Sequence, residues 1–193
     1  ILSAGAIGTP RILLSSGIGP SSELTPLGIN TIVDIADVGK NFSDHPFVSN
    51  GFIVNSTNTF DYLNRQATPQ QQAVSAWQAT GTGPLVNTIA SQIGWFRLPS
   101  SNPIFQTVQD PAAGPTSGHH ELLVSNGDIR SPPTGNFFAL TTIVVSPSSR
   151  GSVTINSSDP FAAPLLDPAL LSTEFDMVVL REAIKLAANY TTA

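Results

Sequence analysis

Apolar positions arrive along the chain in short runs separated by Gly, Pro, Ser and Asn, and the runs change period as they go. Ile1, Leu2 and Ser3 read as the tail of a buried strand whose beginning lies outside the chain, because apolar residues run straight to the first position. Ala4, Gly5 and Ala6 then form a side-chain-poor turn where backbone can approach another backbone or a ligand closely. Thr9 offers an N-cap and Pro10 fits a first helical turn, which predicts a helix over residues 11–16 stopped by Gly17. Ser22 caps a short turn that Gly28 ends, and residues 30–35 alternate as a strand does. The segment 38–46, edged by Gly39 and Pro46, is a loop.

Beyond Pro46 the alternation becomes the dominant signal. Residues 47–55, 89–98, 121–125, 136–146 and 151–155 carry strand character. Residues 58–64 suggest a short helix, and Thr68-Pro69 opens a helix over 70–80 with Val74 and Trp77 on one side. The Pro/Ser/Arg turn between 136–146 and 151–155 predicts neighbouring antiparallel strands. Thr173 and Asp176 form a capping box for a helix over 174–190, with Phe175, Val178, Val179 and Leu186 as core candidates. The expected fold is α/β at the start and α+β afterwards, a mainly antiparallel sheet with helices.

Composition narrows the function classes. With 193 residues and 40% hydrophobic content the chain can bury one sizeable core or two modest ones. Only 11% of residues are charged and the net charge is -5, so the surface relies on Ser, Thr, Asn, Gln and Pro and offers nucleic acid no basic patch. No apolar run approaches the roughly 20 residues of a membrane span. The absence of cysteine removes disulfides, thiolate metal sites and Cys nucleophiles. Asn41-Phe-Ser, Asn55-Ser-Thr, Asn156-Ser-Ser and Asn189-Tyr-Thr fit the N-glycosylation pattern and suit a secreted protein.

Three sites carry chemistry at first sight and lose it to geometry. Asp44 and His45 are adjacent, and neighbours in an extended segment point to opposite faces, so a loop-fixing role is favoured over acid-base work. Gly81-Thr-Gly-Pro-Leu85 lacks the Lys and Ser/Thr of a phosphate loop and reads as a turn. His119 and His120 diverge on a strand, and no further His, Cys, Asp or Glu completes a metal site. Residues 100–118 form a long Pro/Gly/Ser-rich loop holding Ile104, Phe105 and Val108 ahead of Asp110-Pro-Ala-Ala-Gly-Pro115. Loops of that length are uncommon in compact domains unless functional or mobile.

The run from Gly5-Ala6-Ile7-Gly8-Thr9-Pro10 to Ser16-Gly17-Ile18-Gly19 resembles the second signature of the glucose-methanol-choline (GMC) oxidoreductases. Val38-Gly39-Lys40-Asn41-Phe42-Ser43-Asp44-His45-Pro46 resembles the family's Val-Gly-x-Asn-Leu-x-Asp-His-Pro segment, with Phe42 in place of Leu. The run 149–155, with Asp159-Pro160, Pro164 and Asp167-Pro168, is similar to the family's passage from substrate-domain sheet to helix. Residues 100–118 resemble the fungal aryl-alcohol oxidase insertion that covers the active-site entrance.

What the resemblance implies is an incomplete FAD-binding domain over 1–45 and a substrate domain over 46–193, incomplete at its C-terminal end. It places Ala4 and Gly5 beside FAD and gives Phe105 and Val108 a role in substrate access. The implied activity is oxidation of an aromatic or allylic primary alcohol by FAD, with oxygen as acceptor and hydrogen peroxide as product. No Gly-x-Gly-x-x-Gly phosphate turn and no C-terminal His-Pro-x-Gly segment are present, and His45, His119 and His120 sit in other motifs. The expectation is therefore an internal fragment with no catalytic residue of its own, which alone neither retains FAD nor turns over alcohol. A hydroxynitrile lyase, a sugar or simple-alcohol oxidase of the same family, and a secreted β-rich binding module are the alternatives.

Overall fold

In the computed structural model, residues 1–192 are described. The helices are α1 (Gly5–Ser15), α2 (Ser21–Leu24), α3 (Asp61–Arg65), α4 (Ala67–Thr80) and α5 (Glu174–Tyr190). The strands are β1 (Ile18–Gly19), β2 (Val33–Asp34), β3 (Phe47–Ile53), β4 (Ala90–Phe96), β5 (His120–Ser125), β6 (Phe137–Val144), β7 (Ser152–Thr154) and β8 (Leu165–Asp167). They fold into two compact units, one of residues 1–44 with 147–176 and one of residues 45–146 with 177–193. Each unit is built from two separate stretches of chain, a more interleaved path than two consecutive domains.

In the first unit the helix starts earlier than its capping signals predict. Gly5 is already helical, the N-cap is Ala4 with no side-chain cap, and Thr9 and Pro10 lie inside α1. Pro10 cannot donate to the carbonyl four residues back, a loss of roughly 3 kcal/mol in a helix interior. Burial of Leu14, which is fully enclosed, helps to offset it. Gly17, at φ 80°, ends the helix as predicted, and a Cβ there would lie 2.3 Å from the Asn30 carbonyl oxygen. That turn sets β1 parallel to β2, with Ile18 opposite Val33. Ile1, Leu2 and Ser3 are exposed and not in a strand, since no strand of the described residues offers them a ladder partner.

The second stretch of this unit corrects a sequence expectation. Residues 152–154 do not pair with 136–146; β7 lies antiparallel to β8, with Val153 opposite Leu166. Phe42 and Gly151 exchange backbone bonds of 3.0 and 2.7 Å, and the Val153 N–H donates to the Gly39 carbonyl at 2.7 Å. The competing partner is thus a loop about a hundred residues earlier, which no local turn rule sees. Half of the predicted capping box forms: the Asp176 N–H approaches the Thr173 hydroxyl at 3.4 Å. The Asp176 carboxylate is instead buried and accepts the N–H groups of Ser148 at 2.7 Å and Ser149 at 3.1 Å.

The second unit is a four-stranded antiparallel sheet in the order β3-β6-β5-β4. On one face Leu122 and Leu140 pack with Ala187 of α5, flanked by Phe52, Val124 and Phe138. Strand alternation sends Glu121 and Leu123 to the other face, where Glu121 lies opposite Trp95 and accepts its indole N–H at 2.9 Å. In α4 the buried residue is Ala73, while Val74 and Trp77 stay exposed. Buried Asp61 ties the loops at one sheet end, accepting the Asp128 N–H at 3.0 Å, the Phe137 N–H at 2.8 Å and the Thr59 hydroxyl at 2.8 Å.

Candidate functional site

Ala4 and Gly5 belong to the first unit. Gly5 adopts φ 76°, and nothing stands within 4 Å of where its Cβ would project, so an open approach to backbone exists at the start of α1. The first N–H groups of this 11-residue helix receive no side-chain cap. Ala4 also lines a hollow of about 510 Å³ with Gly8, Arg11, Ile12, Ser15 and Phe161. Arg11 donates to the Pro160 carbonyl there, which fixes its guanidinium to the rim.

Phe105 and Val108 belong to the second unit, and the structure brings them together. Both line a pocket of about 260 Å³ with Leu98, Ser100, Arg97 and Asp110. Their loop is strongly tied. Asn102 caps the short 3-10 turn Pro103–Gln106 by accepting the Ile104 N–H at 3.1 Å, and Ile104 is buried. Arg97 donates to the carbonyls of Ser117 at 2.6 Å and Gly114 at 3.2 Å and pairs with the Asp110 carboxylate.

His119 is fully buried and completes this arrangement. Its Nδ1 accepts the Leu98 backbone N–H at 3.0 Å, which leaves the proton on Nε2. That Nε2–H donates to Asp110 Oδ1 at 3.0 Å. The Phe105 ring lies 5.7 Å from the imidazole at 45°. Burial pushes the His119 pKa down and outweighs the opposing pull of Asp110, so the imidazole is held below its usual range. Burial alone would raise Asp110. The Ala112 N–H, the His119 hydrogen bond and the Arg97 guanidinium prevail and hold it below the usual carboxylate range.

The other histidines stand apart. His120 is buried among apolar residues, stacked 5.6 Å from Phe96, with neither ring nitrogen hydrogen-bonded. Burial first, and then the neighbouring His119, bring its pKa down to about 4. His45 and Asp44 are exposed in an irregular segment. No group of three or more His, Cys, Asp or Glu able to hold a metal occurs among the described residues. No helix among them is long and apolar enough to cross a membrane. Sequence reading missed Arg97 and Asp110, because the clasp is made across the loop, 13 residues from Arg97 to Asp110 and 9 from Asp110 to His119, with no short repeat to mark it.

The chain combines a unit of helices and two-stranded sheets with a unit built on a four-stranded antiparallel sheet, a mixed helix-and-sheet fold. The chain belongs to the GMC oxidoreductase family, whose N-terminal model matches residues 1–47 and whose C-terminal model matches residues 147–193. It is 35% identical over 198 residues to a protein named Dehydrogenase eriK of Hericium erinaceus, an alignment that takes in 100% of this chain and 33% of that one. It superimposes on a formate oxidase of Aspergillus oryzae RIB40 with a TM-score of 0.84 at 31% identity, over 97% of this chain and 36% of the other. A fungal aryl-alcohol oxidase shares the fold, with a TM-score of 0.69 at 23% identity over 95% of this chain and 37% of the other. The chain spans about a third of the length of the relatives it matches.

Proposed function

We propose that this chain is part of an FAD-dependent enzyme that oxidises a primary alcohol conjugated to an aromatic ring or double bond. FAD fits the first unit at Ala4 and Gly5, where an uncapped helix start and an open glycine present free N–H groups to a polar ligand. Bound there, FAD would supply the redox chemistry, that of a hydride acceptor for the alcohol carbon with oxygen as final acceptor and hydrogen peroxide as product. The chain's own residues bind and shape: Phe105, Val108 and Leu98 offer an apolar lining to a flat substrate and exclude water. His45, His119 and His120 all sit in motifs other than the catalytic histidine pair that the family resemblance implies, so the base that takes the hydroxyl proton is assigned to a residue beyond these 193.

The observation that carries the reading is the shared pocket of Phe105 and Val108 in a GMC chain. The test is anaerobic mixing of the flavin-loaded enzyme with benzylic and allylic alcohols, with a sugar and with formate. Rapid bleaching by the unsaturated alcohols, and aldehyde with peroxide once air is admitted, is expected. Bleaching by the sugar or by formate alone, or cyanohydrin cleavage with no bleaching, overturns it. Residues 1–193 expressed alone are expected to retain no flavin spectrum and form no peroxide. Secretion and glycosylation complete the proposal, supported by four sequons whose asparagines, Asn41, Asn55, Asn156 and Asn189, are all exposed; an extracellular protein without attached glycan would count against them.

A further inference from the structure

We infer that Asp110 is a positioning residue that clasps the 99–118 loop to the sheet and so fixes Phe105 and Val108 as a standing wall of the pocket. Three attachments converge on it. One oxygen, Oδ1, accepts both the Ala112 N–H at 2.9 Å and the His119 Nε2–H at 3.0 Å. The other, Oδ2, meets the Arg97 guanidinium, which also holds the Gly114 and Ser117 carbonyls on the returning side of the loop. Arg97 follows β4 and His119 precedes β5, so the clasp closes the loop at the point where both ends leave the ladder. There the His119 N–H donates to the Phe96 carbonyl at 2.8 Å.

The imidazole transmits the clasp to the pocket. His119 is enclosed, its Nδ1 is held by the Leu98 N–H, and the Phe105 ring packs against it. Removing Asp110 leaves a buried Nε2–H without its acceptor and the guanidinium without its anion, and the cheapest relief is for the loop to lift. A long Pro/Gly/Ser loop held this way is a preorganised wall that restricts entry by shape. Charged and titratable groups facing Asp110 are Arg97 and His119, with His120 behind the latter.

The substitutions Asp110→Ala and Asp110→Asn separate the arms. Asn can present its carbonyl oxygen where Oδ1 stands and keep the Ala112 and His119 bonds, while its amide N–H groups face Arg97 and break that arm alone. Hydrogen exchange of the flavin-loaded protein is read over 99–118 and over the sheet, together with kcat and KM for a bulky and a small unsaturated alcohol. Expected for D110A is exchange about tenfold faster, confined to 99–118, with KM for the bulky alcohol changed several-fold and kcat preserved; D110N falls between D110A and wild type. Unchanged exchange in both variants, exchange raised equally throughout the sheet, or equal loss of kcat for both alcohols overturns the inference. If D110A does not fold, the ordering of D110N against wild type decides it. The kinetic arm rests on the alcohol-oxidising reading; wild type inactive on every alcohol defeats that reading, while the exchange arm still judges the clasp.

Discussion

Replacing His120 by leucine should stabilise the protein and flatten its stability profile between pH 4 and neutrality. The ring is 4% exposed, sits on β5 between Phe96 and Val144, and leaves both nitrogens without a hydrogen-bond partner. A buried polar atom without a partner costs about 1–3 kcal/mol, a cost present at every pH. Acid adds a second cost. In the unfolded chain the imidazole takes a proton near its ordinary value of 6.5, whereas in the fold it resists protonation down to about 4. Because the folded pKa is the lower one, the unfolded state binds more protons in that window and stability falls as pH drops through it. At about 1.4 kcal/mol per unit, the loss reaches roughly 3 kcal/mol at the acid end. Leucine is of comparable size, satisfies its surroundings and carries no proton, so H120L removes both costs. Urea unfolding followed by tryptophan fluorescence at pH 7.5, 5.5 and 4.5 measures it. The expected result is a gain of about 1–3 kcal/mol at pH 7.5 that widens at each acid step. Carboxylates distant from position 120 titrate in both proteins and cancel in the difference. Parallel pH profiles for the two proteins, or a less stable H120L at pH 7.5, refute the reasoning.

Three further substitutions test the supports of the two units. Asp61→Ala strands the buried N–H groups of Asp128 and Phe137 and should cost about 3–5 kcal/mol, read as a lowered denaturant midpoint. Leu140→Ala opens a cavity against Leu122 and Ala187 and should cost about 2–5 kcal/mol; an unchanged midpoint would mean that this face carries no core. Asp176→Ala frees the Ser148 and Ser149 N–H groups, and faster hydrogen exchange at these two amides with a loss of about 3 kcal/mol is expected.

The elements of the second unit were legible because their signal is local. Alternation marks β3, β4, β5 and β6 within a few residues of their observed ends, and Gly81 at φ 65° stops α4 where predicted. The same local logic misplaced the start of α1. Thr9-Pro10 is a good helix opening by itself, yet the helix begins at Gly5. Capping chemistry weighs about 1 kcal/mol, and the enclosure of Leu14 and the exit through Gly17 outweigh it.

Pairing and site were hidden for one shared reason, which is that their partners are distant in sequence. Residues 147–151 look like a hairpin turn between two strong β-runs, and the chain uses them to leave one unit for the other. The backbone groups of Gly151 and Val153 are satisfied by Phe42 and Gly39, so a hairpin with β6 would have to break those bonds to form. The clasp at Asp110 obeys the same rule on a smaller scale. Phe105 and Val108 were visible as apolar residues in a polar loop, but what holds them is a carboxylate, a guanidinium and an imidazole drawn from both ends of that loop and its tip. In sequence, His119 beside His120 looks like a pair of metal ligands until the divergence of neighbours on a strand is considered. With its Nδ1 on the Leu98 N–H and its Nε2 on Asp110, His119 has no nitrogen left for a metal, and the chemistry of the residue is spent on holding the wall of the pocket.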